Sequence, residues 1–395
     1  MKQARTNRYC VVEFNFQTFA KFVLKYWWCL SFFVCALNAQ QRPFYNIAHM
    51  VNSIKEINYY LSRGANAIEA DVSFSPNGTA LYTFHGYPCD CFRHCNEREE
   101  IRKYLEYVNE ITKPESALYK RKLALLFLDL KISNLPPSSK APAGQDLADK
   151  IIAHLFEGGK TTSKVYLLLS IGHVYDSDFV LGFQNELESR GLEHLNKRIG
   201  WDVGLNDPLN SVISMWQKIE VINNIWQGDG RSNCISPFYN LGRLTQILQR
   251  RDELNMMVDD KYIDKVYHWT IDLTQNLRAS LRTGVDGIIT NHPERLVNIL
   301  REVEFVDLIR LADQDDDPFE RFITRRAESI PSPASNSNQP LAVRIFSGLN
   351  DLLSSFNKYL RDFVFLRVAG NHSLSKRHAI QKRSHHQHRS TLIKL

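Results

Sequence analysis

From Tyr45 onward, short apolar runs alternate with longer amphipathic stretches. The runs are 45–50, 67–74, 80–85, 123–131, 165–171, 199–203, 223–227, 266–272 and 287–290. Stretches at helical spacing separate most of them, at 52–63, 97–110, 145–156, 178–190, 208–220, 239–250, 275–283 and 293–303. Many runs are apolar on both faces, as parallel strands covered by helices are. Strand and helix alternating over about 250 residues predict an α/β fold, a (β/α)8 TIM barrel before a doubly wound sheet. No Gly-x-Gly-x-x-Gly follows the first run. Polar residues gather at the C-terminal ends of several runs, where a barrel keeps its active site.

The alternation stops after 303. Residues 311–320, LADQDDDPFE, read as an acidic turn, and the Pro/Ser/Asn-rich 327–340 as a linker. Ile345, Leu349, Leu352, Phe356, Tyr359 and Phe363 then recur at helical spacing, which predicts one amphipathic helix. The last stretch is basic and His-rich and reads as disordered. At the other end, Lys21 and Lys25 precede an uncharged apolar run from Tyr26 to Leu37, with small residues at Ala36 and Ala39. That order is a secretory signal peptide with an upstream extension, the alternative being an uncleaved anchor. The expected divisions are 1–39 signal, 40–320 catalytic barrel, 321–340 linker and 341–395 amphipathic helix and tail.

The net charge of +6 hides an uneven distribution. Residues 321–395 carry 13 Lys and Arg against 3 Asp and Glu, and residues 1–39 carry 5 against 1. The middle, 40–320, is therefore −8, which argues against nucleic acid and suits a cation. The apolar helical face followed by clustered cations suits an anionic membrane surface, the alternative being a helix docked on the barrel with an inert tail. Secretion also decides the cysteines. Removing the signal takes Cys10, Cys29 and Cys35 and leaves Cys89, Cys91, Cys95 and Cys234. An even count in an oxidising compartment predicts two disulfides. Either Cys89 or Cys91 pairs with Cys95, and the other reaches Cys234. Zinc is the weaker reading, because Cys-x-Cys-x3-Cys lacks the spacing of structural zinc sites.

The sharpest chemical signal is AIEADV, with Glu69 and Asp71 two apart on a strand and so on one face. FLDLK adds Asp129 and Lys131. Three carboxylates at strand ends repel one another unless a cation or a shared proton relieves them, and hard oxygen donors suit one Mg2+. The alternative is that each acid pairs with a base and only fixes the core. His49 ends the first run and His85 the third. A histidine pair supplies a base and an acid at neutral pH, or, with Glu69 and Asp71, ligands for zinc. Trp269 and Asp272 end a late strand, and the indole is either packing or a cation–π wall for an alkylated ammonium.

AHMVNSIKEINYYLSRGANAIEADVSF, HGYPCDC, FLDLKIS, IWQGDGRSNC, VYHWTID and GVDGIITNHPE resemble, in order and spacing, the spider-venom phospholipase D family. These are the sphingomyelinase D-like dermonecrotic toxins, with tick and mite relatives. The resemblance covers roughly 42–320. It implies a barrel of the glycerophosphodiester phosphodiesterase type and a secreted, Mg2+-dependent, lyase-type enzyme. Such an enzyme detaches the headgroup of sphingomyelin or lysophospholipids at membrane surfaces, as a monomer. It implies catalytic His49, His85 and Lys131, metal ligands Glu69, Asp71 and Asp129, and a headgroup wall of Trp269 with Tyr267, beside Asp272. It also implies the pairing Cys89–Cys95 and Cys91–Cys234, and a plug from ADQDDDPF at the far end of the barrel. The departures are Ala48, Ala70, His268 and Phe319, where Gly, Thr, Tyr and Trp are usual. Two alternatives stand beside this reading: a hydrolytic glycerophosphodiester phosphodiesterase, and a secreted non-catalytic binder on the same barrel.

Overall fold

The computed structural model describes residues 41–221, 223–253, 262–322, 352–353 and 355–356. The apolar runs become strands β1 (Arg42–Ala48), β2 (Ala67–Phe74), β5 (Leu125–Lys131), β6 (Tyr166–Ile171), β7 (Ile199–Val203), β8 (Trp226–Gly230), β9 (Lys265–Trp269) and β10 (Gly287–Thr290). They lie in the order β7-β6-β5-β2-β1-β10-β9-β8, all parallel. A parallel bridge from Trp201 to Ile225 returns the last strand to the first. This is the expected (β/α)8 barrel. Helices cover its outside, including Ile54–Ser62, Pro137–Lys150, Ser177–Ser189 and Thr274–Arg282.

Two hydrophobic layers hold it together. The larger lies between strands and helices, around Ile68, Leu126, Leu128, Leu167, Leu169, Phe179, Phe183 and Trp201. The smaller fills the barrel, with Tyr45, Ile47, Phe127, Leu168, Trp226, Tyr267, Ala312 and Phe319. The last two come from the acidic turn. Trp226 Nε1 donates to Pro318 O at 2.9 Å, and Asn66 Nδ2 to Ala312 O at 2.7 Å. The Phe319 ring meets Tyr166 edge-on, 5.8 Å between centroids. So 312–319 closes the N-terminal end as expected, with Phe319 as its aromatic. Strand β11 (Ile309–Leu311) feeds it by pairing with Arg42–Phe44.

The structure departs from the sequence expectation in four places. The 80–85 run is not a barrel strand: β3 (Ala80–Thr83) turns back antiparallel on β2 and pairs outward with β4 (Glu99–Glu100). Its middle residues Leu81 and Tyr82 are exposed, so its apolar character does not mark a core position. Strand β1 begins three residues before Tyr45, because Arg42 is buried on Asp286, 3.2 Å away, at the barrel floor. Strand β8 runs on to Gly230 although WQGDG looks like a turn. A Cβ on Gly228 would lie 2.3 Å from the Tyr267 ring, so glycine is what admits that ring into the barrel. Finally, the helix expected at 145–156 begins at Pro137. Its PAG segment looks like a loop but lies against Ser177–Ser189: a Cβ on Gly144 would sit 2.0 Å from Phe179 O, and one on Gly182 2.1 Å from Ala141 O.

Of the segments expected as signal, linker and tail helix, only Arg321, Phe322, Leu352, Leu353, Ser355 and Phe356 fall within the described residues. Among the described residues no helix is long and apolar enough to cross a membrane.

Candidate active site

Parallel pairing of β2 with β5 sets Asp71 beside Asp129 in register, and Glu69 shares the face of Asp71. An oxygen from each of these three carboxylates lies within 4.8 Å of the others. Glu69 and Asp71 are buried. Such a cluster survives only with compensation, and the chain supplies it locally. Lys131 Nζ lies 2.8 Å from Asp71 Oδ1 and 2.6 Å from Asp129 Oδ2. Asn52 Nδ2 donates to Asp71 Oδ2 at 2.8 Å, and Met50 N to Glu69 Oε2 at 2.7 Å. Met50 adopts a left-handed φ of 50° in the turn after β1. Burial and the neighbouring Asp71 still push the Glu69 carboxyl up to about 8. Burial opposes ionisation of Asp71 too, but Lys131 and His85 outweigh it and hold that carboxyl low. Lys131 is desolvated, yet Asp129 and Asp71 keep it firmly charged. Protein groups thus neutralise the cluster incompletely. An all-oxygen donor set that Lys131 does not fully neutralise fits a hard divalent cation, which Glu69, Asp71 and Asp129 would hold.

His49 follows β1. Its Nδ1 lies 3.2 Å from Asp90 Oδ2 and 3.3 Å from Asn291 Oδ1, so the ring is held from its Nδ1 side. Burial opposes a charge on this ring, but Asp90, Glu69 and Asp71 prevail and raise it to about 9. Asn291 is itself held: its Nδ2 reaches Asp272 Oδ2 at 2.9 Å and Asp90 Oδ2 at 3.3 Å. His85 comes from the other direction, two residues past β3. Its Nδ1 donates to Gly86 O at 2.7 Å, so this ring too is held from its Nδ1 side. Asp71 interacts electrostatically with both rings, which therefore border the carboxylate cluster.

The loop after His85 is closed twice. Cys89 pairs with Cys95 and Cys91 with Cys234, with Cα–Cα distances of 5.6 and 5.4 Å, the pairing the resemblance implies. Asp90 sits between the two first cysteines, so both disulfides fix the carboxylate that faces His49. The second bond ties this loop to the one after β8, where Asn233 Nδ2 donates to Cys91 O at 2.8 Å and to Asp272 Oδ2 at 2.7 Å.

The remaining expected residues divide. Trp269, at the end of β9, is partly exposed, and its Nε1 has no hydrogen-bond partner among the described residues. Tyr267 lies deeper, fully within the barrel, its hydroxyl on Asp202 Oδ2 at 2.8 Å. Asp272 is not at the carboxylate cluster. It lies under Asn291, accepting from Asn291 N, Asn291 Nδ2, Asn233 Nδ2 and Thr290 Oγ1 at 2.7 to 3.0 Å.

Four residues of the site escaped the sequence reading. Asp90 and Asn52 lie in loops, where no periodicity marks them. Asn291 follows the last barrel strand, and its strand-end position was the available signal. Asp202 was legible as the one charged residue of the fully buried β7. It takes a hydrogen bond from Ser170 Oγ at 2.8 Å, and burial raises its carboxyl to about 7.

The sequence model of the family described as "Dermonecrotic toxin SPH" matches residues 39–319. The chain belongs to that family. It is 43% identical over 288 residues to dermonecrotic toxin SPH of the tick Ixodes scapularis, covering 71% of this chain and 77% of the relative. It is 40% identical over 300 residues to dermonecrotic toxin Hl-PLD1 of Hemiscorpius lepturus, covering 75% and 87%. Among solved structures, a putative glycerophosphoryl diester phosphodiesterase from Silicibacter pomeroyi aligns at 13% identity and a TM-score of 0.40, covering 66% and 94%. The dermonecrotic toxin match takes in the whole described barrel and its plug, and ends before the tail.

Proposed function

We propose that this family member is an extracellular, Mg2+-dependent phospholipase D-like phosphodiesterase that detaches the headgroup of sphingomyelin or lysophospholipids as a phosphorus–oxygen lyase. The observation that carries the reading is the meeting of Glu69, Asp71 and Asp129, within 4.8 Å, with two histidines at the C-terminal mouth of the barrel. Phosphodiester cleavage needs a cation or amine for the phosphoryl oxygens, a base for the nucleophile and an acid for the leaving group. All three are here, and no separate protein nucleophile is needed. When bound, one Mg2+ on the three carboxylates supplies charge neutralisation at the phosphoryl oxygens.

The residues divide the rest. The lipid's own hydroxyl attacks phosphorus. His49 Nε2 takes the hydroxyl proton, with Nδ1 held by Asp90 and Asn291. The bond from phosphorus to the headgroup oxygen breaks, and His85 Nε2 gives that oxygen a proton. The product is a cyclic phosphate with no water consumed. Two of the groups that raise His49, Glu69 and Asp71, are the proposed metal ligands, so loading the site moves that ring toward its neutral, basic form. Lys131 supplies fixed positive charge, and Trp269 offers an aromatic face to a quaternary ammonium. Two disulfides fit passage through an oxidising compartment.

The test is choline release from sphingomyelin and lysophosphatidylcholine by the wild type, His49→Ala and His85→Ala in millimolar Mg2+. Each variant should lose at least about a hundredfold in rate. Wild-type rates in either variant, with the fold intact by circular dichroism, contradict the assignment.

A further inference from the structure

The described tail residues lie beyond the family match, yet they touch the barrel at two places, and both lead to His49. Ser355 is buried, with Oγ 3.1 Å from His292 Nε2 and 3.2 Å from Arg295 Nη2. The other arm of Arg295, Nη1, donates to Asp272 O at 2.7 Å. Asp272 holds Asn291, and Asn291 Oδ1 faces His49 Nδ1. One residue on, the Phe356 ring meets Phe92 edge-on, 6.0 Å between centroids. Phe92 stands between the disulfide cysteines with a left-handed φ of 58°. Its neighbour Arg93 donates from Nη2 to Met50 O at 2.6 Å and to His49 O at 3.2 Å. One line therefore ends on the His49 ring and the other on its backbone.

We infer that Ser355 and Phe356 form an intramolecular brace that positions His49 and the disulfide loop. They are positioning residues and touch no reacting group. Loop residues fixed only by a few contacts open locally at low cost, and a misplaced catalytic group loses rate. The occupant of this barrel face is thus the chain's own tail. The inference rests on the catalytic role proposed for His49, so its test carries a readout that needs no activity.

Full-length protein, Ser355→Ala, Phe356→Ala and a truncation after Phe322 are compared by hydrogen–deuterium exchange and by turnover of lysophosphatidylcholine. Exchange in 86–95 and 288–295 should rise in all three variants. Losing one side-chain hydrogen bond or ring contact should cost about three- to tenfold in kcat with KM changed less than about twofold. Ser355→Thr, which keeps the hydroxyl, should restore both readouts toward wild type. Unchanged exchange in the truncation overturns the brace whatever the activity. So does a defect in KM alone, or faster turnover on truncation, which would make the segment a lid. If the wild type turns over no lipid while the exchange pattern holds, the brace stands and the catalytic reading falls.

Discussion

Asp272 is the residue on which loss of one charge should be felt most widely. Its buried carboxylate accepts four hydrogen bonds, from both nitrogens of Asn291, from Asn233 and from Thr290. Burial opposes its ionisation, but His292 and these donors prevail and hold it at about 2, against 3.8 for the unperturbed group. A gap of roughly two units corresponds to about 2.5 kcal/mol favouring the folded, ionised state. Because the folded value is the lower one, that stability is present above about pH 4 and is lost as the pH falls toward 2. Asp272→Asn removes it and turns an amide nitrogen toward donors, which strands at least one of them for a further 1–3 kcal/mol, roughly. The expected cost is about 3–5 kcal/mol at pH 7. Urea unfolding followed by tryptophan fluorescence, with disulfides intact, measures it. Repeating the series from pH 5 to pH 2 should show the two proteins converging by about the ionic share. A variant within about 1 kcal/mol of wild type at pH 7, with the same acid slope, would refute the reasoning.

The two disulfides should differ in worth. Their sequence separations are 143 and 6 residues, so loop-closure entropy assigns about 5 kcal/mol to Cys91–Cys234 and about 2 to Cys89–Cys95. Paired Cys→Ser variants in denaturant should rank in that order. Gly144→Ala places a methyl against the backbone of Phe179 and should cost roughly 2–4 kcal/mol by thermal unfolding, whereas Gly191→Ala, with nothing within 4 Å of the added Cβ, should cost less despite its left-handed φ. Asp129→Asn should raise the Mg2+ concentration for half-maximal choline release at least about tenfold, with the fold unchanged by circular dichroism. An unaltered Mg2+ requirement removes Asp129 from the ligand set.

The barrel was legible because its signal is repeated. Nine apolar runs, many of them apolar on both faces and most of them separated by stretches at helical spacing, leave few alternatives. The misreadings had local causes. Arg42 reads as a loop residue because nothing in its surroundings in sequence announces Asp286. The 223–227 run stops short of Gly228 because the reason for that glycine, the Tyr267 ring, lies some forty residues away. The 80–85 run passed for a barrel strand because an exposed hairpin with Leu81 and Tyr82 has the same composition as a core strand. At the site, the carboxylates were legible from strand parity alone: Glu69 and Asp71 must share a face. What holds them was not. Asn52, Asp90 and Asn291 sit in loops, and their bearing on Asp71 and His49 depends on a closed barrel. Asp272 showed the converse. Its strand-end position marked it as functional, but its hydrogen bonds run to Asn291 and Asn233, making it a support for His49.

In the proposed reaction the lipid supplies its own nucleophile at a site built from His49, His85 and the Glu69–Asp71–Asp129 cluster. Phosphorus NMR of the earliest products from sphingomyelin and lysophosphatidylcholine, in 18O-enriched water with millimolar Mg2+, tests it most directly. Free choline should appear together with a cyclic phosphate carrying no solvent 18O, and His49→Ala should form both at least about a hundredfold more slowly. A phosphate monoester labelled with 18O at the first time point, or equal cleavage of a lipid without the neighbouring hydroxyl, would contradict it.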